Sequence, residues 1–349
     1  MKTAFDYKQE LDRLTFTQEE KEAMTARLLS AVPEKNTRRQ SKGLRRGIVA
    51  AVAAAACLTV AAGATGLLKL PSTAFAPVFG AAETEIIDRI GHPVDASATS
   101  GGVTITADAV LGDKYHYAVA YTLTKNDGTA FDLPDCRDLL FEDSRSDIAT
   151  TGGVTGYSYF YDADPADNAI QYAAIYETTE PVAQGTVVRA HFKNLCEAGP
   201  AGEAPEQLIR GSWALSFRLN FEDLSTTLAL DTPVVLAGHD AVLNDLTISP
   251  IGLSLSYTFP EAIPMPEQES GRESAAQEAW TDLVFGSIPM ELRQKDGVVL
   301  NIQNASGSSE TDGQGAMHCT KGVTFDAILP LEDLESITIC GVTFPISAS

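Results

Sequence analysis

Histidine, cysteine and basic side chains are all scarce in this chain, and each scarcity removes a class of function. Five histidines stand among 349 residues, at His92, His116, His191, His239 and His318, none with a His, Cys or Glu neighbour at metal-ligand spacing. There is no HExxH, GxSxG, glycine-rich phosphate loop or SxxK, so the usual carriers of zinc hydrolysis, serine nucleophilic attack and nucleotide chemistry are missing. The expectation is a non-enzyme with no catalytic residue, no cofactor and no metal. DADPADN at 162–168 lacks the glycine and the closing glutamate of a helix-flanked calcium loop and reads as an acidic surface loop. Asn304, in Asn-Ala-Ser, fits a glycosylation sequon, a short and common pattern.

Of five cysteines, Cys57 falls in an apolar run, leaving Cys136, Cys196, Cys319 and Cys340. An even number permits disulfides, most economically Cys136 with Cys196 and Cys319 with Cys340. Four small buried apolar side chains are equally compatible with it. The shortage of cations is uneven. Residues 1–46 hold 11 Lys and Arg against 7 Asp and Glu, whereas the rest holds 14 against 40, and the whole carries −22. So acidic a surface repels nucleic acid, and no nucleic-acid partner is expected.

What the chain does have is GIVAAVAAAACLTVAAGATGLL, residues 47–68, with no charge and no proline. At about 1.5 Å per residue it reaches roughly 33 Å, against about 30 Å of hydrocarbon. Arg38, Arg39, Lys42, Arg45 and Arg46 precede it and only Lys69 follows closely, which predicts a single-pass helix with a cytoplasmic N-terminus and residues beyond 68 outside. A cleaved signal peptide would have a shorter apolar core near the chain start, and the 46 residues upstream favour a retained anchor.

The cytoplasmic segment 1–46 contains a capping box at Thr17 and Glu20, followed by Met24, Leu28, Leu29 and Val32 at helical spacing. A shorter helix is expected before it. Two such helices cannot bury a core of their own, so the stripe of Met24, Leu28, Leu29 and Val32 is a candidate partner-binding surface. Lying on the lipid surface is the competing use.

After a Pro-, Gly- and Ala-rich juxtamembrane linker, 69–100, with a helical turn near 83–90, the hydrophobic period changes to two. Val103, Ile105 and Ala107 alternate with polar residues, a turn at Gly112 and Asp113 follows, and Trp213, Leu215, Phe217, Leu219 and Phe221 share one face of the clearest strand. A second set begins near 231, with Leu253, Leu255, Tyr257 and Phe259 on one face and strands over 298–303, 322–329 and 336–344. DSRSDIATTGG and EAIPMPEQESGRESAAQEAW read as solvated loops. The fold class is mainly β, two β-sandwiches of immunoglobulin-like type at 101–230 and 231–349. VTITADAVLGDKYHYAVAYTL and LTISPIGLSLSYTF suggest that the two are related by duplication.

The order ELDRLTFTQEEKEAMTARLL, basic stop, membrane span, STAFAPVFGAAETEIIDRIG and GGVTITADAVLGDKYHYAVAYTL resembles the single-pass, anti-sigma-factor-like membrane proteins of Gram-positive bacteria. Their first outside domain has no known function. HDAVLNDLTISPIGLSLSYTF is similar to the start of the second, immunoglobulin-like domain that often follows. The resemblance implies a regulator of transcription that binds a sigma factor inside and an unidentified extracytoplasmic ligand outside. The zinc site of the best-understood anti-sigma factors is not implied, because residues 1–46 contain neither His nor Cys. The alternative is a non-enzymatic envelope interaction protein whose tail merely anchors it in the bilayer.

Overall fold

The computed structural model describes residues 69–346 apart from 132, 134–135, 149–151, 200–202, 268–273, 287 and 303–305. The expected cytoplasmic helices with Met24, Leu28, Leu29 and Val32, the apolar run 47–68 and Asn304 of the sequon lie outside the described residues. No helix among the described residues is long and apolar enough to cross a membrane. The described chain is mainly β, with seventeen strands in four antiparallel sheets.

The first eight strands are β1 (Gly91–Ser100), β2 (Val103–Gly112), β3 (His116–Lys125), β4 (Leu139–Ile148), β5 (Val154–Tyr161), β6 (Ala169–Thr178), β7 (Val187–Glu197) and β8 (Glu206–Arg218). A sheet ordered β1-β2-β3-β6-β5 packs on a sheet ordered β4-β7-β8. Period-two alternation supplies the core between them: Tyr121 from one sheet meets Phe192 and Phe217 from the other at ring separations of 5.2 and 6.3 Å. Trp213 on β8 is fully buried and its indole donates to the Val103 carbonyl at 2.9 Å, tying the two sheets together.

The remaining strands are β9 (Thr226–Leu236), β10 (His239–Ile248), β11 (Gly252–Phe259), β12 (Met290–Gln294), β13 (Val299–Ile302), β14 (Ser306–Thr311), β15 (Met317–Thr324), β16 (Leu334–Ile339) and β17 (Val342–Pro345). They form sheets β14-β15-β11-β10-β9 and β13-β12-β16-β17 around a second core. With β13 set aside as an addition, the strand order of the first sandwich is repeated strand for strand. The likeness extends to irregularities. In β2 the pairing skips Asp108, between Ala107–Tyr121 and Ala109–Ala120; in β10 it skips Asn244, between Leu243–Tyr257 and Asp245–Ser256. Each skipped residue reaches across to a threonine, Asp108 accepting from Thr122 and Asn244 donating to Thr258 at 2.8 Å. The same bulge with the same cross-strand bond marks two copies of one unit, since bulges are built features rather than defects.

Two helices, α1 (Pro71–Phe79) and α2 (Thr84–Ile90), occupy part of the segment read as a linker, and β1 occupies the rest. Their Phe75, Phe79, Ile87 and Ile90 are buried on the outer face of the first sheet, against Ala109, Ala118, Ala120 and Ala173. Alanines there let the helices approach closely, and each large side chain so covered contributes about 1.5–3 kcal/mol. The Asp88 carboxylate clamps the first turn of α1, accepting from the Ser72 N–H at 2.8 Å and its hydroxyl at 2.9 Å.

Other departures have simple causes. DSRSDI is the outer part of β4 rather than a loop; its polar residues follow from its place at a sheet edge. The second insertion carries a helix, α3 (Ala275–Thr281), closed by a capping box between Ser274 and Gln277. The strand expected over 336–344 is two strands, β16 and β17, turning at Cys340 and Gly341, both of positive φ. The strand expected over 322–329 begins at Met317 and stops at Thr324. The four described cysteines are thiols rather than disulfides. Burial pushes the Cys319 thiol up to about 12, the behaviour of a small apolar core residue.

Candidate functional site

The two sandwiches meet through equivalent parts. Asp113 follows β2 and Ser249 follows β10, at the same distance beyond the bulge in each copy, and the Ser249 hydroxyl donates to the Asp113 carboxylate. His116 pairs with Glu177 in one copy and Gly252 with Thr324 in the other; Thr324 donates across the junction to Glu177 at 3.1 Å. Gly252 is required here, because a methyl on it would lie 2.9 Å from the His116 imidazole and 2.5 Å from the Val323 carbonyl. Counterpart touching counterpart is the pattern of an isologous contact.

Asp113 and His116 are almost wholly buried, at 3 % and 2 % exposure. The imidazole Nδ1 lies 3.0 and 2.9 Å from the two carboxylate oxygens, and the Tyr115 and His116 N–H groups donate to Oδ1 at 2.7 and 2.6 Å. Burial opposes both charges. For Asp113 the His116 charge and the converging donors outweigh it and hold the carboxyl below its usual range. For His116 burial is likewise outweighed, by Asp113 and then Glu177, and the pKa is raised. Aspartate, histidine and serine in contact invite comparison with a catalytic triad. The single Ser249 proton is committed to Asp113, while its oxygen accepts from the Ile251 and Gly252 N–H groups at 3.1 and 3.2 Å. Histidine and serine thus both address the aspartate, and the imidazole is not arranged as the serine's base. The trio is a latch between sandwiches.

Beside the latch opens a cleft of about 670 Å³, within the roughly 300–1,000 Å³ of ligand-sized pockets. One wall is β5 and β6, through Thr155, Gly156, Tyr157, Ile175 and Glu177. The other is β13, the end of β15 and the turn after it, including Ile302, Phe325 and Asp326. No Lys, Arg or His is among its described lining residues. Burial, and for both rings the Asp326 carboxylate, hold the phenols of Tyr157 and Tyr159 above their usual range, so both stay neutral donors at physiological pH. An apolar cleft carrying the Asp326 carboxylate and neutral hydroxyls is suited to hold a ligand with cationic or N–H donor groups.

None of these residues stood out in the sequence, where Asp113 was a turn residue and His116 an isolated histidine. The DADPADN carboxylates are used locally: Asp162, Asp164 and Asp167 each accept from the N–H two residues on, at 3.0, 3.1 and 2.7 Å, as in Asx turns. No group of three or more metal-ligating side chains occurs among the described residues.

No family model matches this chain. No curated protein matches it either. Among solved structures it is similar to the crystal structure of the conserved domain protein from Bacillus anthracis, with 14 % identity, coverage of 71 % of this chain and 76 % of that one, and a TM-score of 0.46.

Proposed function

We propose that the chain is a single-pass membrane regulator of the anti-sigma type. In this reading residues 1–46 hold a sigma factor in the cytoplasm through Met24, Leu28, Leu29 and Val32, residues 47–68 cross the bilayer, and two immunoglobulin-like sandwiches bind an envelope ligand outside. The observation that carries it is the docking of the chain directly after residue 68. Lys69 donates to Asp108 at 3.1 Å and to Thr122 at 2.8 Å, and α1 and α2 then pack on the first sheet and reach Ile251 and Ile328 of the second sandwich. A passive anchor needs only a slack linker, whereas a signalling anchor needs its first outside residues built into the ligand-binding body.

Leu28→Asp places a carboxylate where an apolar contact is required, at a cost of a few kcal/mol. It should release the sigma factor and raise transcripts of its regulon, as should deletion of 1–46. Unchanged transcripts in both variants would favour the envelope interaction protein, a reading that the open cleft also suits.

A further inference from the structure

The four sheets present eight edges: β1 and β5, β4 and β8, β9 and β14, β13 and β17. Exposed edges recruit stray strands, and proteins blunt them with charge, proline or bulges. Six of the eight are so blunted: Pro93 and a bulge in β1, Glu142, Asp143, Arg145 and Asp147 in β4, Arg210 and Arg218 in β8, Pro233 in β9, Glu310 in β14, Pro345 in β17. The two exceptions are β5, VTGYSYFY, and β13, VLNI, which contain neither a charge nor a proline. Both line the same cleft.

Strand β5 also breaks the alternation of a half-buried strand, since Val154 through Ser158 are exposed in succession. Val154 is 39 % and Tyr157 51 % exposed, among the few large apolar side chains left open to water, and Val299 on β13 is another at 38 %. Asp326, exposed at the same place, supplies negative charge to the cleft. We propose that the cleft is a strand-addition site: an extended polypeptide segment carrying lysine or arginine pairs its backbone with the open edge of β5. Its apolar side chains face Tyr157 and Ile302, and its cation lies against Asp326. Backbone pairing supplies affinity and alternate side chains supply selectivity, as in other edge-binding modules. The proposal rests on reading the cleft as the ectodomain's ligand site and names the class of ligand.

The test uses the full-length chain in lipid nanodiscs and a capped eight-residue peptide, valine-threonine-lysine-threonine repeated twice, whose valines and lysines share one face of an extended strand, with binding followed by fluorescence anisotropy. Two control peptides are needed, one N-methylated at alternate backbone nitrogens and one with glutamate for lysine. Each should bind about tenfold or more weakly, having lost ladder hydrogen bonds or charge-assisted contacts respectively. Asp326 is exposed, so Asp326→Lys should leave the fold intact and reverse the preference between the lysine and glutamate peptides. Equal binding of the N-methylated peptide would overturn strand addition. So would an unchanged preference in Asp326→Lys, or self-association of the chain through this edge without peptide binding. Regulon transcripts under Leu28→Asp report separately: their response without peptide binding would remove the peptide and keep the regulator, and the converse would keep the peptide and remove the regulator.

Discussion

Trp213 and Arg218 lie on one strand and differ in everything that sets the cost of truncation. Trp213 is fully buried and bonded to the Val103 carbonyl, whereas Arg218 points outward and donates to the Gly185 carbonyl at 2.8 Å. Trp213→Ala should lower stability by about 3–5 kcal/mol and Arg218→Ala by less than about 1 kcal/mol, as measured by urea denaturation. The duplicated tyrosines offer a finer comparison. Tyr257 donates to the Val284 carbonyl at 2.7 Å, while the hydroxyl of its counterpart Tyr121 has no partner among the described residues. Tyr257→Phe should therefore cost about 1 kcal/mol or more, and Tyr121→Phe should be neutral or stabilising. The side-chain faces were legible because strands bury alternate residues: Trp213, Leu215, Phe217, Leu253, Leu255 and Tyr257 are all buried. The orphaned hydroxyl was not, since nothing local to Tyr121 distinguishes it from Tyr257.

Elements were legible where one face is dry and the other wet, and illegible where burial comes from a neighbour remote in sequence. The outer part of β4 reads as a loop because Asp143 to Asp147 lie on a sheet edge, and α1 reads as linker because its proline content hides Phe75 and Phe79. The docking of α1 and α2 on the first sheet also gives the Asp108 bulge a second role. Burial raises the Asp108 pKa, and the Lys69 charge and the Thr122 hydroxyl pull against that. The other copy has Asn244 at the same position, still bonded to its threonine, so an amide is compatible with this bulge. Asp108→Asn should keep the sandwich folded, with its unfolding free energy within about 1 kcal/mol of wild type, but release Lys69. The expected result is faster trypsin cleavage after Lys69 in nanodiscs with unchanged circular dichroism. Unchanged cleavage would mean that α1 alone holds the segment.

At the scale of the molecule, the sequence pattern hinted at duplication but could not reveal that the copies meet through their own equivalent turns. Asp113, His116 and Ser249 stand on separate hairpins, and only the folded pairing brings them together. Their junction makes stability depend on pH in a defined way. A buried pair that loses one member leaves an uncompensated charge, which typically costs about 3–5 kcal/mol. The folded pKa of His116 is raised, so its contribution is complete below the unfolded value of about 6.5 and is lost as pH rises through the folded one. The folded pKa of Asp113 is lowered, so its contribution is complete above about 3.9 and is lost as pH falls through the folded value. Both are complete only between about pH 4 and 6.5. The stability of wild type minus that of His116→Gln, measured by urea denaturation from pH 4 to 9, should be greatest near pH 5–6 and shrink on the alkaline side. A difference that stays flat or grows above pH 7 would show that the imidazole is neutral in the folded protein and that the latch is a hydrogen bond without an ion pair.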